Sequence, residues 1–468
     1  MKNNIKEVCL HQIQDNIKDL KFVISFALII ILMILNGIVF SLRSEKKNSE
    51  YLGIIQSNEV NIKKNSKSLN NIAFSDHLVL KKPLYSEFIA EGKQNIFPDA
   101  FFVKVNSISL PEKIYSYNKR LTQITSIDWV FIISILFSFL IFILTYDAIS
   151  GEKEKKTLQL LFSNSITKLE YILGKITGVT LSVMLPFIIG IIINLIIIIV
   201  LGKFPINASL CLRILVFVFY SFIFISIFVS IGLFISSINS NSLKSLIILS
   251  LFWITIIIIT PVVSKIIITN IYKVTTTADL DEKLKEVESR LPDLYAAHQA
   301  GERGPMGAVD NFKLERGAAA ARNEIASEKQ KIIKEYLRLR INQAKAYYNL
   351  INLSPVYLYQ NIIEDLFNTG LTRETCIIDQ TNKFQDQIIT FYKENDIKDI
   401  RYSAHLYFMF GYLSPEGIDY NLVPRFNEDP IDISQSIKNS LSLFILLLTE
   451  FLVITILICF TFKRMNYL

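Results

Sequence analysis

The chain has 468 residues, 51% of them hydrophobic, with 33 phenylalanines and a formal net charge of +7. This composition is too apolar for an ordinary soluble domain and indicates a membrane protein. The basic residues are scattered among acidic ones, which argues against a nucleic-acid-binding surface. The four cysteines have neither metal-ligand nor CxxC spacing, so we expect no disulfide framework and no metal site.

Six segments contain enough consecutive apolar residues to cross about 30 Å of hydrocarbon as α-helices. We predict transmembrane helices at 22–40, 129–146, 180–201, 214–235, 245–263 and 443–462. The first is too long in its apolar part to be a cleavable signal peptide. Pro186 and Pro261 are expected to kink or end their helices near the membrane faces.

Six spans place the connections alternately on the two sides of the membrane. One side receives only short segments, namely 1–21, 147–179, 236–244 and 463–468. The other side receives 41–128, 202–213 and 264–442. Lysines in 147–179, together with Lys463 and Arg464, predict that the short side is cytoplasmic. We therefore expect a multi-pass protein of the plasma or inner membrane with cytoplasmic termini.

The first long connection, 41–128, has alternating and β-branched pieces. These are "YLGIIQS", "HLVLKK" and "AFFVKVNSISL", and they are separated by Pro83, Gly92 and Pro98. Such runs between turn residues are typical of short strands.

The connection 147–179 is a short polar segment between two apolar predicted spans. Acidic residues alternate with lysines up to Lys156, and from Thr157 apolar residues return at helical spacing. The pattern predicts an amphipathic helix at the headgroup boundary. On this pattern alone, the helix is either a solvated connector with basic anchors or a docking element for a cytosolic partner.

The second long connection, 264–442, contains strong helical patterns. Apolar residues recur three and four positions apart at Leu280, Leu284, Val287, Leu291 and Leu294. Turn residues follow in "AGERGPMG", and a second helix is predicted to about residue 350, which gives an antiparallel helical hairpin at 278–350. A further helix is predicted at 379–395. The expected fold is an all-α bundle of six transmembrane helices with an α+β extracytoplasmic domain.

No catalytic motif is present in the sequence. It lacks the GxxxxGK[ST] phosphate loop, HExxH and GxSxG, and its four histidines are far apart. We therefore predict that the chain is not an enzyme, with no catalytic residue and no metal ligand.

Glu450 is the only charged residue inside the predicted spans. A carboxylate near the middle of a span is costly unless it is paired or protonated, so a polar path or proton coupling is one interpretation. The other is a protonated glutamic acid that hydrogen-bonds a neighbouring helix, for example at Asn36, Asn194 or Tyr220. The predicted set of intramembrane polar residues is Glu450, Asn36 and Asn194.

Residues 146–175, "YDAISGEKEKKTLQLLFSNSITKLEYILGK", resemble the signature of ABC type 2 exporter permeases. The matching positions are Glu152, Thr157, Leu158, Leu160, Leu161, Ser163, Thr167, Gly174 and Lys175. Three positions depart from the family pattern, with Lys156 in place of glycine, Ser165 in place of proline and Lys168 in place of arginine. Residues 81–103 and 352–370 are also similar to the subgroup with two large extracytoplasmic loops, related to copper-enzyme maturation exporters.

The resemblance implies a permease subunit whose residues 147–179 form a coupling helix on a separate cytosolic ABC ATPase. The ATPase-coupling residues would be Glu152, Thr157, Leu158, Leu161, Phe162, Ser163 and Lys168. It also implies an amphipathic helix within 1–21 along the inner membrane surface, with its apolar face formed by Val8, Ile13, Ile17 and Leu20.

The resemblance further implies a homodimer or a pair with a related permease, in contact with membrane lipid. ATP and Mg²⁺ would be bound by the partner subunit, and no cofactor by this chain. The expected function is ATP-driven export or mechanical work outside the membrane. The alternative is a membrane-anchored receptor or assembly scaffold whose outer helical domain binds a partner without transport.

Overall fold

The computed structural model describes residues 2–92, 97–115, 127–162, 166–202, 207–300, 311–399 and 413–464. Within these residues, six helices are long and apolar enough to cross a membrane, as predicted. The rest is mostly helical, with one small sheet. The structure therefore agrees with the predicted bundle of six membrane-spanning helices.

The elements follow one another in two halves of the chain. The first half consists of α1 (Lys2–Lys18), α2 (Leu20–Asn65), α3 (Leu69–Ala73), β1 (His77–Leu80), β2 (Ala100–Lys104), β3 (Ser107–Ile108), α4 (Trp129–Phe131), the π-helix π1 (Ile132–Phe137), α5 (Ser138–Thr145), α6 (Ser150–Glu154), α7 (Thr157–Phe162), α8 (Lys168–Gly202) and α9 (Ala208–Ile238). The second half consists of α10 (Ser242–Ile254), the π-helix π2 (Thr255–Ile259), α11 (Thr260–Ile271), α12 (Thr277–Ser289), α13 (Leu291–Ala300), α14 (Asn311–Ile351), α15 (Pro355–Phe367), α16 (Leu371–Ile397), a 3₁₀ turn (Tyr420–Leu422) and α17 (Ile433–Arg464). The six spans are α2, the series from α4 to α6, α8, α9, the series from α10 to α11, and α17.

The second and fourth spans form the centre of the bundle. Their most apolar windows are 61% and 67% buried, against 17% for the fifth and sixth spans. Aromatic rings from different spans meet there, with ring centroids 5.8 Å apart for Phe137 and Phe187 and 5.9 Å apart for Phe187 and Phe217. Since lipid is as apolar as these side chains, close packing rather than escape from water stabilises their contact.

The first span, α2, is 46 residues long and continues far beyond the predicted segment 22–40. The strand predicted at "YLGIIQS" is therefore wrong. Tyr51, Ile54 and Ile55 have helical spacing, and all three pack against the sheet that follows. A short apolar run of this kind fits a helix as well as a strand, and here the tertiary contact favours the helix.

The two other strand predictions in the first long connection are confirmed. β1, β2 and β3 form an antiparallel sheet in that order, with His77 opposite Val103 and Val103 opposite Ile108. Val79 and Phe101 of this sheet share a buried core with residues of α16. The two long connections thus pack together, and we call their described residues outside the spans, other than α15, the loop domain.

The predicted helical hairpin is present. α12 and α13 run antiparallel to α14, since Glu288 pairs with Lys329 and, further along, His298 pairs with Glu324. The hairpin's first arm is broken at Arg290, because Pro292 at the start of α13 cannot continue the hydrogen bonding of α12. The predicted turn after Ala300 lies outside the described residues.

α15 lies among the spans rather than in the loop domain. It packs against α9 and α17, and most of its residues are buried. α16, which follows it, starts earlier than the helix predicted at 379–395. Two buried ion pairs hold α16 in place. Lys81 of the first long connection pairs with Glu374 of α16, and Arg373 of α16 pairs with Glu428 in the segment that leads into α17.

Candidate functional site

Two short helices lead from the second span toward the third, namely α6, which ends the second span, and α7, which follows it. Lys156 separates them with φ of +57°, in the left-handed region that favours glycine. The pattern that residues 146–175 resemble has glycine at this position, so the chain forms a glycine-type turn with a lysine. Ser165, another departure from the family pattern, lies outside the described residues.

Glu152 on α6 is held by partners within the protein. Its Oε1 lies 2.6 Å from Lys175 Nζ on α8, and its Oε2 accepts a hydrogen bond from the Tyr171 hydroxyl. Lys175 also donates to the backbone carbonyl of Ala148 at 2.9 Å. Since the Lys175 side chain is only 9% exposed, this charge-assisted pair clamps α6 onto α8.

The same segment is bonded to the start of the fifth span. Glu154 accepts from the backbone amide of Ser242 at 2.8 Å and from its hydroxyl at 3.0 Å. Ser242 is the first residue of α10, where the helix dipole favours a carboxylate. Lys153 donates to the carbonyl of Ser237 near the end of α9 and to that of Asn239 just after it. α6 is therefore bonded to the third, fourth and fifth spans.

α7 turns an apolar side toward the bundle. Leu158 is buried, and Leu161 and Phe162 are half-buried against the same core. The ring centroid of Phe162 lies 5.6 Å from that of Tyr171 and 6.2 Å from that of Phe462 on α17. The contact with Phe462 links α7 to the sixth span.

The other side of the segment is exposed. Its exposed side chains are all polar or charged, namely Glu154, which is bonded to Ser242, and Lys155, Lys156, Thr157 and Gln159. Of the remaining predicted coupling residues, Lys168 donates to the backbone carbonyl of Lys463 at 3.4 Å. Ser163 lies outside the described residues. The structure thus separates the residues that hold the segment against the bundle from the residues on its exposed side.

α1 runs parallel to the first half of α8 in a regular four-residue register. Asn4 donates to Glu170 at 3.3 Å, and Asn16 donates to Ser182 at 3.2 Å. Between these contacts, Gly174 lies against Val8 and Gly178 against Gln12, so closely that an added Cβ would be 2.7 and 2.9 Å from those side chains. The two glycines therefore allow the close approach of α1.

Only part of the apolar face predicted for α1, at Val8, Ile13, Ile17 and Leu20, packs against the protein itself, and its contact with the membrane surface stays a prediction. Val8 contacts α8, but Ile17 and Leu20 are 48% and 69% exposed. The face that packs is instead largely polar and small, because a glycine-lined groove accepts Asn and Gln side chains that bond each other and α8. The GxxxG spacing of Gly174 and Gly178 is the sequence signal that could have indicated this contact.

Two of the predicted intramembrane polar residues meet. Asn194 Nδ2 on α8 donates to Asn36 Oδ1 on α2 at 2.8 Å and to the carbonyl of Met33 at 2.6 Å. Asn36 Nδ2 in turn donates to the carbonyl of Ile127 at 2.7 Å. The pair therefore binds the first span to the third.

Glu450 is not part of that pair. Among the described residues, its buried Oε2 has no hydrogen-bond partner, and Tyr220 bonds Ser440 instead. The predicted hydrogen bonds from Glu450 to Asn36, Asn194 or Tyr220 are therefore wrong. The side chain is half-buried on α17, the sixth span, which is itself only weakly buried by the rest of the chain.

The sequence matches the family model described as "ABC-2 family transporter protein" over residues 7–467. The chain belongs to the ABC-2 transporter family. Family membership makes it the membrane component of an ABC transporter, which works with a separate ATP-binding subunit, and it confirms the resemblance at the level of the family. No curated protein matches the sequence. Within the described part of the chain, no cluster of His, Cys, Asp or Glu is arranged to hold a metal ion.

Proposed function

We propose that the α6–α7 segment of this ABC-2 permease docks on the cytosolic ATP-binding subunit and passes its nucleotide-driven movement to the spans. The resulting work is export of a cargo, or force applied to the loop domain outside the membrane. ATP and Mg²⁺ belong to the partner subunit.

The observation that carries this proposal is the way one small segment is tied to most of the bundle. It continues the second span, and its side chains bond or contact the third, fourth, fifth and sixth spans. A displacement of α7 is therefore transmitted to several helices at once. A solvated connector would need none of these contacts.

The predicted coupling residues divide into two roles under this proposal. Glu152, Leu158, Leu161, Phe162 and Lys168 keep the segment rigid against the bundle, and Thr157 faces the partner. The neighbouring Lys155 and Lys156 are also exposed, so a complementary groove on the ATP-binding subunit would be acidic.

The docking surface is tested by charge reversal in the full-length chain co-expressed with its ATP-binding subunit. We expect Lys155→Glu with Lys156→Glu to reduce the co-purified ATP-binding subunit by about tenfold, which corresponds to about 1.4 kcal/mol. The matched control is Lys283→Glu with Lys285→Glu, an equal charge change at two exposed lysines of α12. Undiminished co-purification of the α6–α7 variant would refute the docking surface.

The weak burial of the fifth and sixth spans supports a further part of the proposal. Only 17% of each apolar window is covered by the chain itself. A second permease subunit, identical or related, together with lipid, would cover these faces. Cysteine cross-linking along the exposed side of α10 in membranes checks this arrangement, since a monomeric permease would give no cross-linked dimer.

Glu450 is proposed to serve the transport path or proton coupling. Its position in a span, with a buried oxygen that has no partner among the described residues, supports this role. We expect Glu450→Gln to insert and to co-purify with the ATP-binding subunit normally, but to lower substrate-stimulated ATP turnover several-fold. Thr449→Val, at the adjacent exposed position, is the control. Equal turnover in the two variants would show that the carboxylate has no part in transport.

A further inference from the structure

α15 enters the bundle from the side opposite to α6 and α7. The Tyr359 hydroxyl lies 2.7 Å from Ser221 Oγ on α9, and the Tyr359 ring stacks on Phe224 with centroids 4.4 Å apart. Near the other end of α15, Arg213 of α9 donates to the carbonyl of Leu366. α15 is thus antiparallel to α9, and its N-terminal end is the deepest part, about 16 Å further in than Leu366 at 1.5 Å per residue.

The fifth span contains a defect at the depth reached by α15. Pro261 has no backbone N–H to donate to the carbonyl of Ile257, four residues earlier. The amide of Thr260 bonds the carbonyl of Thr255 instead, in the wider pattern of the π-helix π2. An apolar span cannot leave such a freed carbonyl without a donor unless water or protein supplies one.

α15 and Ser354, the residue just before it, supply those donors. The Tyr357 hydroxyl donates to the carbonyl of Ile257 at 2.7 Å, and Ser354 Oγ donates to the carbonyl of Ile256 at 3.5 Å. The defect made by Pro261 is therefore completed by side chains from another part of the chain. The Ile256 carbonyl is free only while Thr260 bonds Thr255, and the same hydrogen bonding positions the Ile257 carbonyl, so α15 and π2 depend on each other.

The second span has a π-helix at the same place, and α15 bonds it as well. Gln360 Nε2 donates to Ser134 Oγ of π1 at 2.8 Å. Trp253, just before π2, donates to Ser138 Oγ, just after π1, at 3.1 Å. π-Helical turns are rare and occur frequently at functional sites.

α15 is also the direct continuation of the hairpin. Three residues separate Ile351 at the end of α14 from Pro355, and Asn361 of α15 donates to Asn352 in that turn. Gln343 of α14 donates to the carbonyl of Tyr272 at the end of the fifth span at 2.8 Å. A shift of α15 is therefore passed to α14 without a flexible linker.

We propose that α15 is the transmission element between the spans and the helical hairpin of α12, α13 and α14. A change of register in π1 or π2 removes or moves the acceptors of Tyr357 and Gln360, so that α15 and the attached hairpin move with the second and fifth spans. Tyr357 and Gln360 are positioning residues in this link. The inference rests on the proposed function, because the ATP-binding subunit supplies the movement of the spans.

The test compares hydrogen exchange in the full permease with its ATP-binding subunit, reconstituted in lipid nanodiscs, in the nucleotide-free and vanadate-trapped states. In the wild type we expect the exchange rates of hairpin amides at 277–300 and 317–351 to change about fivefold on trapping. In Tyr357→Phe with Gln360→Leu this change is lost, while exchange at α6 and α7 still responds to nucleotide. Tyr336→Phe on α14, whose hydroxyl accepts from Arg340, is the control and keeps the response.

Two results overturn the inference. One is a hairpin that still responds to nucleotide in the double variant, or that responds as fully as the wild type in both single variants, Tyr357→Phe and Gln360→Leu. The other is a wild-type hairpin that does not respond although α6 and α7 do. If α6 and α7 do not respond in the wild type, the proposed function fails, and that result is distinct from both.

Discussion

Lys156 shows how one residue sets the local shape of the α6–α7 segment. With φ of +57° it holds a conformation that costs a residue with a Cβ about 1 kcal/mol. Its neighbour Lys155 has φ of −80°, in the right-handed region that any residue adopts. The two lysines thus have similar exposure but different backbone requirements, which makes them a matched pair for an experiment.

We expect Lys156→Gly to stabilise the turn, because glycine adopts the left-handed conformation without the Cβ penalty. The gain should be about 1 kcal/mol, read as slower hydrogen exchange of the α7 amides. Lys155→Gly should instead be neutral or destabilising, since glycine only adds freedom to the unfolded chain at that position. Slower exchange in Lys155→Gly and not in Lys156→Gly would contradict the backbone argument.

At the scale of elements, the spans could be predicted from the sequence because a membrane helix depends on a long apolar run and little else. The pairing of α1 with α8 could not be predicted in the same way. The partners Asn4 and Glu170 are far apart in the chain, and the packed face of α1 is polar, so a search for an apolar face favours the wrong residues. Only the two glycines, Gly174 and Gly178, indicate where a helix approaches closely.

α15 was missed for a related physical reason. It has only 13 residues, which is too short to span a membrane, and it follows a long polar helix, so the pattern favours a place outside the bundle. Its sequence, "PVYLYQNIIEDLF", has one polar face with Gln360, Asn361, Glu364 and Asp365, a pattern typical of a helix at a surface, although most of its residues are buried. The Tyr357 hydroxyl bonds the Ile257 carbonyl, which Pro261 leaves without its usual donor, and the Gln360 amide bonds the Ser134 hydroxyl. Both acceptors lie on other spans, so tertiary packing decides these contacts.

The candidate site was predictable in its location but not in its internal division. The resemblance in 146–175 indicated the segment, and the amphipathic spacing from Thr157 indicated the buried side of α7. What the sequence could not show is that Glu152 is bound to Lys175 and Tyr171, because these partners come from the next span. Charged residues in the segment therefore have different surroundings although they are close in sequence.

At the scale of the whole molecule, the two long connections depend on each other for stability. His77 of β1 is buried in their shared core, where its Nε2 lies 3.1 Å from the Tyr392 hydroxyl of α16 and 3.1 Å from the carbonyl of Ile72. Burial lowers the pKa of His77 to about 4 from its ordinary value of 6.5, although the backbone hydrogen bond and the charge of Asp76 oppose this shift. The histidine is therefore neutral in the folded loop domain at neutral pH.

This lowered pKa predicts that acid weakens the joint between the two connections. Below pH 6.5 the unfolded chain binds a proton that the folded domain does not, so the stability contribution is lost as the pH falls from 6.5 toward 4. At pH 5 the expected loss is about 2 kcal/mol, seen as faster hydrogen exchange of the α16 amides than at pH 7 after correction for the intrinsic rates. His77→Gln, which does not titrate, should lose this part of the pH dependence even if it lowers stability at pH 7. An unchanged pH dependence in that variant would show that other groups, such as the carboxylates of the loop domain, cause the acid sensitivity.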